Sequence, residues 1–248
     1  MLKADPFAQL KLLDLQAVDS TLDQLSHRLK NLPEHAALTK LAERRTDVAA
    51  LEGQTRTEVG DLARDQRKAD ADVEQVKIRR ARDRQRLDSG VISDSKQLQA
   101  MQHEVVTLDK RISALEDEEL EVMERLEDAQ NRLASLESEL AQIESEAGEL
   151  IRARDLAAAE IAERQGSAAA ERDLLAADIP DELLRLYDKL RAHLGGVGVG
   201  ALHQRRCGGC RLNVGAADLA RMAAAPSDEV LRCEECNRIL VRTQESGL

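Results

Sequence analysis

The strongest constraint on the fold is a seven-residue repeat of apolar side chains that begins at Leu98. Two interleaved series, one starting at Leu98 and one at Met101, continue to Arg164. Seventeen of the twenty positions in these series are apolar. Because a straight α-helix would drift off such a seam, a repeat of this length predicts a left-handed coiled coil.

A weaker repeat of the same period precedes it. One series contains Leu41, Val48, Thr55, Leu62, Ala69 and Val76. Val59 and Val73 belong to a companion series, which is interrupted by polar residues. An apolar stripe from Val18 to Leu32 comes earlier, at helical spacing. Pro33 separates the stripe from the repeat, and we interpret it as a kink in one long helix rather than a short break.

The two repeats are joined by the segment LDSGVISDSKQL. Gly90 suits a helix end that needs a positive φ, and Asp94 with Gln97 resembles a capping box for the next helix. A turn near residue 91 lies midway between Asp5 and Ala177, so one arm can fold back along the other. We therefore predict a mainly α protein in which residues 1–178 form an antiparallel coiled-coil hairpin, with its turn near 88–95. Arms of about 80 residues would be on the order of 120 Å long. A parallel homodimer with a loop in each chain is the alternative.

Composition supports helices rather than a large globular core. Aromatic residues make up 1% of the chain and charged residues 33%, whereas aromatic side chains supply much of the buried area of most cores. No apolar run approaches the roughly 20 residues that span a bilayer. The N-terminal segment lacks the features of a signal peptide. We expect a cytoplasmic protein without membrane contact, in which cysteines stay reduced.

Residues 179–200 predict a connecting helix followed by a linker. Pro180 suits the first turn of a helix that contains Leu183, Tyr187 and Leu190. Four glycines between Gly195 and Gly200 then predict a hinge, since no phosphate-binding fingerprint surrounds them. We interpret Tyr187 as a packing residue that joins the hairpin to the tail.

The only four cysteines form two CxxC pairs near the end of the chain. Cys207 and Cys210 are separated by 22 residues from Cys233 and Cys236. This spacing is typical of a four-cysteine zinc ribbon, and we assign residues 201–248 to it. Gly208 and Gly209 would relieve crowding in the first knuckle, Asn237 would tolerate a left-handed backbone, and RILV would form the strand after the second knuckle.

Other interpretations of these cysteines are weaker. A redox site would need a thioredoxin-like βαβ context, which the tail lacks, and His203 could replace a ligand only if one cysteine were left out. Four thiolates close the coordination sphere of one Zn²⁺, so the predicted zinc is structural rather than catalytic. We expect it to supply most of the core of a domain of about 45 residues with little other apolar mass.

The chain resembles the bacterial C4-type zinc-ribbon proteins with an N-terminal coiled-coil hairpin. The resemblance rests on SKQLQAMQHEV, LEDEELEVME, IPDELLRLYDKLR and CEECNRILV. It implies a non-enzymatic adaptor or chaperone-like regulator, with the four cysteines as zinc ligands and the hairpin as a partner-binding arm. It further implies partners such as an alternative sigma factor of the flagellar and nitrogen class, components of flagellar or type III export systems, or messenger RNA.

Two groups of arginines are candidate docking surfaces. Residues 77–86 carry a net charge of +5 in an otherwise acidic chain. The candidate residues of this basic tip are Arg79, Arg80, Arg82, Arg84 and Arg86. A second group, the knuckle arginines, flanks the first CxxC pair and consists of Arg205, Arg206 and Arg211. An alternative for the basic tip is a solvated face paired with acids on the facing helix, and the run from Glu116 to Asp128, with a charge of −7, has the same two interpretations.

Three classes of function are compatible with these features in decreasing order. The first is an adaptor that binds a protein partner through a rigid arm and a zinc-stabilised head. The second is a regulator that binds RNA or DNA, although no aromatic platform exists for base stacking. The third is an enzyme, for which the sequence offers no nucleophile–base set, open metal site or small-molecule pocket motif.

Overall fold

The computed structural model describes residues 2–248 and is mostly helical. Its helices are α1 (Pro6–Lys30), α2 (Pro33–Asp88), α3 (Ser95–Ala177), α4 (Asp181–His193) and α5 (Ala216–Ala224). Its strands are β1 (Val199–His203), β2 (Arg206–Cys207), β3 (Leu231–Arg232) and β4 (Ile239–Arg242). The chain divides into two compact units. The arm unit is Ala36–Ile151, and the head unit combines the residues up to His35 with Arg152–Leu248.

In the arm unit, α2 and α3 pack along the predicted seam. Leu41 and Val48 of α2 share a buried cluster with Ile143 of α3. Further along, Leu62 packs against Leu126 and Ala129. Residue numbers rise on one helix as they fall on the other, so the pairing is antiparallel and lies within one chain. The predicted coiled-coil hairpin is confirmed, and the facing helix comes from the same chain rather than from a second copy.

The hairpin turn joins Asp88 to Ser95. Gly90 adopts a φ of +66°, as the sequence predicted. The Asp94 side chain accepts a hydrogen bond from the backbone N–H of Lys96 at 2.9 Å, which satisfies one of the free donors at the start of α3. The chain therefore reverses with a capped helix end rather than a long loop.

The segment before Pro33 breaks the helix. α1 ends at Lys30, Asn31 caps it by donating its backbone N–H to His27 and Arg28, and α2 begins at Pro33. The expected kink in one long helix is therefore wrong. Proline lacks an N–H and suits the first turn of a helix, so Pro33 starts α2 instead of bending a continuous helix.

A four-stranded sheet forms the centre of the head unit, in the order β2-β1-β4-β3. The central pair is parallel, with Val199 beside Ile239, and both edge strands are antiparallel to it. Alternate side chains along the strands point to opposite faces. Val199 and Ile239 join Leu12, Tyr187 and other residues of α1 and α4 in one buried cluster. Leu202 and Leu240 join the cysteines and Met222 in a second cluster.

This two-faced sheet corrects two expectations. Zinc was expected to supply most of the core of the C-terminal segment, but α1 and α4 cover one face of its sheet with buried aliphatic side chains. The glycine segment was expected to be a linker, but Gly200 lies in β1. A Cβ at Gly198 would lie 2.8 Å from the Tyr187 carbonyl oxygen. Its glycines therefore permit close packing, which local sequence could not distinguish from flexibility.

Candidate metal centre

The four cysteines converge at the ends of short strands. Cys207 ends β2, Cys233 follows β3, and Cys236 comes shortly before β4. Their four Sγ atoms all lie within 4.8 Å of one another, and the Cys207–Cys236 and Cys210–Cys233 Sγ pairs are both 3.9 Å apart. Sulfurs bound tetrahedrally to zinc at about 2.3 Å are separated by roughly 3.8 Å. The spacing fits one Zn²⁺ and is far too long for disulfides, whose sulfurs are about 2.05 Å apart.

Both knuckles use the same backbone turn. The N–H of Arg211 donates to the Cys207 carbonyl at 2.7 Å, and the N–H of Asn237 donates to the Cys233 carbonyl at 2.8 Å. Arg211 and Asn237 have φ values of +65° and +59°. The sequence predicted the left-handed residue at Asn237, because asparagine tolerates it. It gave no such signal at Arg211, where the turn requires a conformation that arginine rarely adopts.

The first knuckle is crowded by backbone from β1. A Cβ on Gly208 would lie 2.9 Å from the Ala201 carbonyl oxygen, and one on Gly209 would lie 2.6 Å from Cδ of Arg238. Gly200 of β1 approaches the Gly209 nitrogen so closely that its own Cβ would be 2.5 Å away. The expected role of the knuckle glycines in relieving crowding is confirmed.

Burial and nearby donors act in opposite directions on the thiols. Burial raises the pKa of Cys207 to about 12 and also raises that of Cys233. Burial likewise opposes ionisation of Cys236, but hydrogen bonds from the backbone and guanidinium of Arg238 hold its pKa at about 7. Because zinc binds thiolates, the metal must displace protons from the buried pair, which couples metal binding to folding.

His203 lies outside this cluster. Its Nε2 is 3.1 Å from a carboxylate oxygen of Glu245, and its side chain is about half exposed. In the described range, residues 2–248, the four cysteines form the only group of metal-ligating side chains close enough to hold an ion. The thiol set therefore needs no fifth ligand.

The knuckle arginines bond to backbone carbonyls. Arg205 Nε donates to the Gly247 carbonyl at 3.1 Å, and Arg206 donates to the Arg211 carbonyl at 2.9 Å. Gln204 and Arg205 both have positive φ, and the C-terminal segment holds this tight turn through backbone bonds from Glu245 and Ser246. Across residues 2–248, no carboxylate forms an ion pair with any of the three arginines, so their charge is not neutralised locally.

Most of the basic tip, by contrast, is paired with acids on α3. Arg79 contacts Glu104 at 2.5 Å, and Arg80 and Arg84 contact Asp109 at 2.9 and 3.2 Å. The hydrogen bond from Arg80 helps to hold the pKa of Asp109 below its usual value. Arg82 and Arg86 have no ion-pair partner among the residues described. The five arginines therefore divide into three paired and two free side chains.

A buried polar cluster in the head unit has no counterpart in the sequence predictions. Asp19 of α1 is 1% exposed. Its carboxylate accepts hydrogen bonds from the Tyr187 hydroxyl at 2.7 Å and from Arg172 Nε at 2.8 Å, and Arg191 lies 3.4 Å away. We call these four residues the Asp19 cluster. The available signal was the position of Asp19, which continues the apolar face of Leu12 and Leu15.

Gln16, one turn earlier on α1, holds the glycine segment. Its amide donates to the Gly196 carbonyl and accepts from the Gly198 N–H, each at 2.8 Å. Burial and the bond to Asp19 raise the pKa of Tyr187 far above its usual range, so the hydroxyl stays protonated. The expected packing role of Tyr187 thus includes a specific hydrogen bond that links α4 to α1.

The fold and the cysteine cluster define a coiled-coil hairpin protein with a C4-type zinc ribbon. Residues 15–195 match the CT398-like coiled coil hairpin domain family, and residues 206–240 match the C4-type zinc ribbon domain family. The chain belongs to the CT398-like coiled-coil hairpin family. Both are families of structural domains rather than enzymes. Between residues 2 and 248, no helix is long and apolar enough to cross a bilayer.

Proteins similar to this chain occur in mycobacteria and in Chlamydia. An uncharacterized Mycobacterium tuberculosis protein is 35% identical over 243 residues, which is 98% of each chain. A solved Mycobacterium smegmatis structure is 36% identical, with a TM-score of 0.82 over 98% of this chain and 100% of that one. CT398 from Chlamydia trachomatis shares the fold, with 19% identity and a TM-score of 0.67 over 95% and 98% of the two chains.

Proposed function

We propose that the protein is a non-enzymatic adaptor or regulator of the cytoplasm that binds a protein partner. The observation that carries this proposal is the closed set of four thiols. Cys207, Cys210, Cys233 and Cys236 would be the ligands of one Zn²⁺, and four thiolates leave no coordination position for water or substrate. The metal would then stabilise a binding head rather than perform chemistry.

The head and the arm unit each offer a candidate docking surface. On the arm unit, Arg82 and Arg86 are free to bind an acidic partner, since Arg79, Arg80 and Arg84 already have acids beside them. Arg86 also lines an open groove with Val91 and Ile92 of the turn. Planar guanidinium groups suit carboxylates and phosphates, and the exposed Val91 side chain adds apolar contact.

The resemblance to zinc-ribbon adaptors supports a partner from the transcription or export machinery. A protein partner is favoured by the groove, where arginine and aliphatic side chains occur together. Protein interfaces combine aliphatic and arginine contacts of this kind, whereas phosphate binding needs only the charge.

Binding of RNA or DNA is the second candidate function. The observation that favours it is the arrangement of Arg205, Arg206 and Arg211, whose charges are not neutralised by acids in the described chain. Against it, the chain has one Tyr, one Phe and no Trp, so base stacking on aromatic side chains contributes little.

Affinity capture from the source organism with the full-length, zinc-loaded chain tests the proposal. We expect a protein partner that survives nuclease treatment and is lost with Arg82→Glu/Arg86→Glu. A matched control is Arg67→Glu/Lys68→Glu, which makes the same charge change at two exposed, unpaired residues of α2. Loss of all binding with nuclease and with Arg205→Glu/Arg206→Glu/Arg211→Glu would contradict the protein partner and establish the second candidate.

A further inference from the structure

One line of charged residues on α3 points away from α2. Residues seven apart opposite the coiled-coil seam share one outward face of the helix. From Lys96 this line contains, in order, Lys96, His103, Lys110, Asp117 and Glu124. All five are exposed, and none of their side chains has an ion-pair partner in the described part of the chain.

The charges on this line are segregated by sign and end abruptly. Its basic members come first and its acidic members follow, with the change between Lys110 and Asp117. The next three positions of the same line are Asn131, Ser138 and Ser145, which are uncharged. A solvated face would not require such an order, whereas a face that docks against charge would.

Exposed aliphatic residues flank the same stretch. Val106 and Leu120 lie two heptads apart on the adjacent line of α3, and are 54% and 55% exposed. Small residues, Ser113 and Ala114, are exposed between them. Small side chains at the middle of a helix face allow a second helix to approach closely, while Val106 and Leu120 provide apolar surface on either side.

We propose that this face binds the same face of a second copy of the chain, with the two α3 helices antiparallel. The two-fold axis passes between Ser113 and Ala114. Residues at matched distances on either side of the axis then meet. Lys110 of each copy faces Asp117 of the other, and His103 faces Glu124. Val106 packs against Leu120, so the two exposed aliphatic side chains of this stretch cover each other.

Self-complementarity is the reason for choosing a second copy over another partner. In a two-fold interface one surface must match itself, so every residue and its counterpart belong to the same chain. The stretch from His103 to Glu124 meets this condition in both charge and apolar pattern. It spans about 32 Å of helix at 1.5 Å per residue. An interface this small, with exposed ion pairs, forms a weak dimer.

Sedimentation equilibrium of the full-length, zinc-loaded chain at roughly 10–500 µM tests the proposal, a range suited to weak interfaces. We expect a monomer–dimer equilibrium that weakens with added salt. Lys110→Glu and Asp117→Lys should each weaken it by about tenfold, because each change turns two attractive pairs per dimer into repulsive ones. The double variant should restore it, since the pairs are then reversed in both copies.

Two controls make the result decisive. Glu149→Lys changes an exposed, unpaired acid further along α3 and should leave the dimer unchanged. A new cysteine at Ser113 should form a disulfide across the axis under mild oxidation, whereas Ala134→Cys, on the same line but outside the face, should not. A monomer over the whole range, a double variant no better than the single ones, or equal crosslinking at both sites would overturn the proposal.

Discussion

The head unit and the arm unit solve the same problem, burying enough side chains, in different ways. The arm unit repeats one contact, with leucine, isoleucine, valine and alanine meeting every seven residues. The head unit uses contacts that occur once: a buried carboxylate with a tyrosine and two arginines, an amide that holds a glycine segment, and a cluster of thiols. A repeated contact can be lost locally, whereas a unique contact has no substitute.

Their ion pairs show the same contrast. In the arm unit, Arg80 and Asp109 are both about one-third exposed on their side chains, so water screens the pair and its contribution is small. In the head unit, Asp19 is almost completely buried. Removing a partner from a buried charge leaves that charge or its partners without compensation. We therefore expect single substitutions to be costly in the head unit and mild in the arm unit.

The largest effect should come from Cys233→Ser. Loss of one of four ligands removes most of the affinity for zinc, and structural zinc contributes on the order of 10 kcal/mol to small ribbons. The strands beside the knuckles should lose amide protection in hydrogen exchange, while far-ultraviolet circular dichroism changes little because the long helices have their own packing. His203→Ala is the matched control and should keep its zinc. A fully metallated Cys233→Ser protein would contradict the ligand assignment.

Asp19→Ala should be the next most damaging change. It leaves the Tyr187 hydroxyl and the Arg172 and Arg191 guanidinium groups without their shared acceptor, at a cost of about 3–5 kcal/mol. Tyr187 is the only tyrosine and there is no tryptophan, so tyrosine fluorescence reports unfolding of the head unit alone.

Asp23→Ala provides the comparison for that change. Asp23 lies one turn further along α1 and pairs with Arg191 while remaining half exposed. Its loss should lower the free energy of unfolding by under about 1 kcal/mol. Equal effects of the two alanine substitutions on the tyrosine signal would remove the contrast between buried and exposed pairs.

In the arm unit, Leu62→Ala should have a moderate effect. Leu62 is buried against Leu126 and Ala129, and leucine-to-alanine changes at such sites cost about 2–3 kcal/mol. Because neighbouring heptads still pack, the loss should appear as local amide exchange around Leu62 rather than as melting of the whole hairpin. Leu51→Ala, at a half-exposed position of α2, should change little. Complete loss of helicity in Leu62→Ala would show that the arm unit is not locally tolerant.

The smallest effect should follow Arg80→Gln. Arg80 shares Asp109 with Arg84, so one guanidinium remains beside the carboxylate after the substitution. We expect a change of under about 1 kcal/mol in thermal unfolding followed by circular dichroism. A loss comparable to that of Asp19→Ala would mean that exposed pairs, rather than the seam, stabilise the arm unit.

Periodic features could be predicted from the sequence, and unique long-range contacts could not. The heptads, the turn at Gly90 and the four cysteines follow from spacing alone. The packing of α1 against a sheet almost 200 residues later leaves no local signal, and neither does the bond between Tyr187 and Asp19. The charge count at the basic tip was visible, but its division into paired and free arginines depends on which α3 residues face them.

The positions of special backbone conformation were predicted unevenly for a related reason. Asn237 is a residue that tolerates a left-handed backbone, so its identity indicates its φ. Arg211 has the same conformation because the CxxC turn imposes it. Likewise, glycine permits both a flexible linker and close packing, and only the neighbours of Gly198 and Gly200 show that close packing applies here.

Metal analysis of the purified native chain, prepared without added metal, tests the central claim most directly. A structural ribbon predicts one equivalent of zinc per chain, with all four thiols protected from alkylation until a strong chelator removes the metal. Well under half an equivalent of zinc, together with thiols that alkylate freely in the folded protein, would contradict the account.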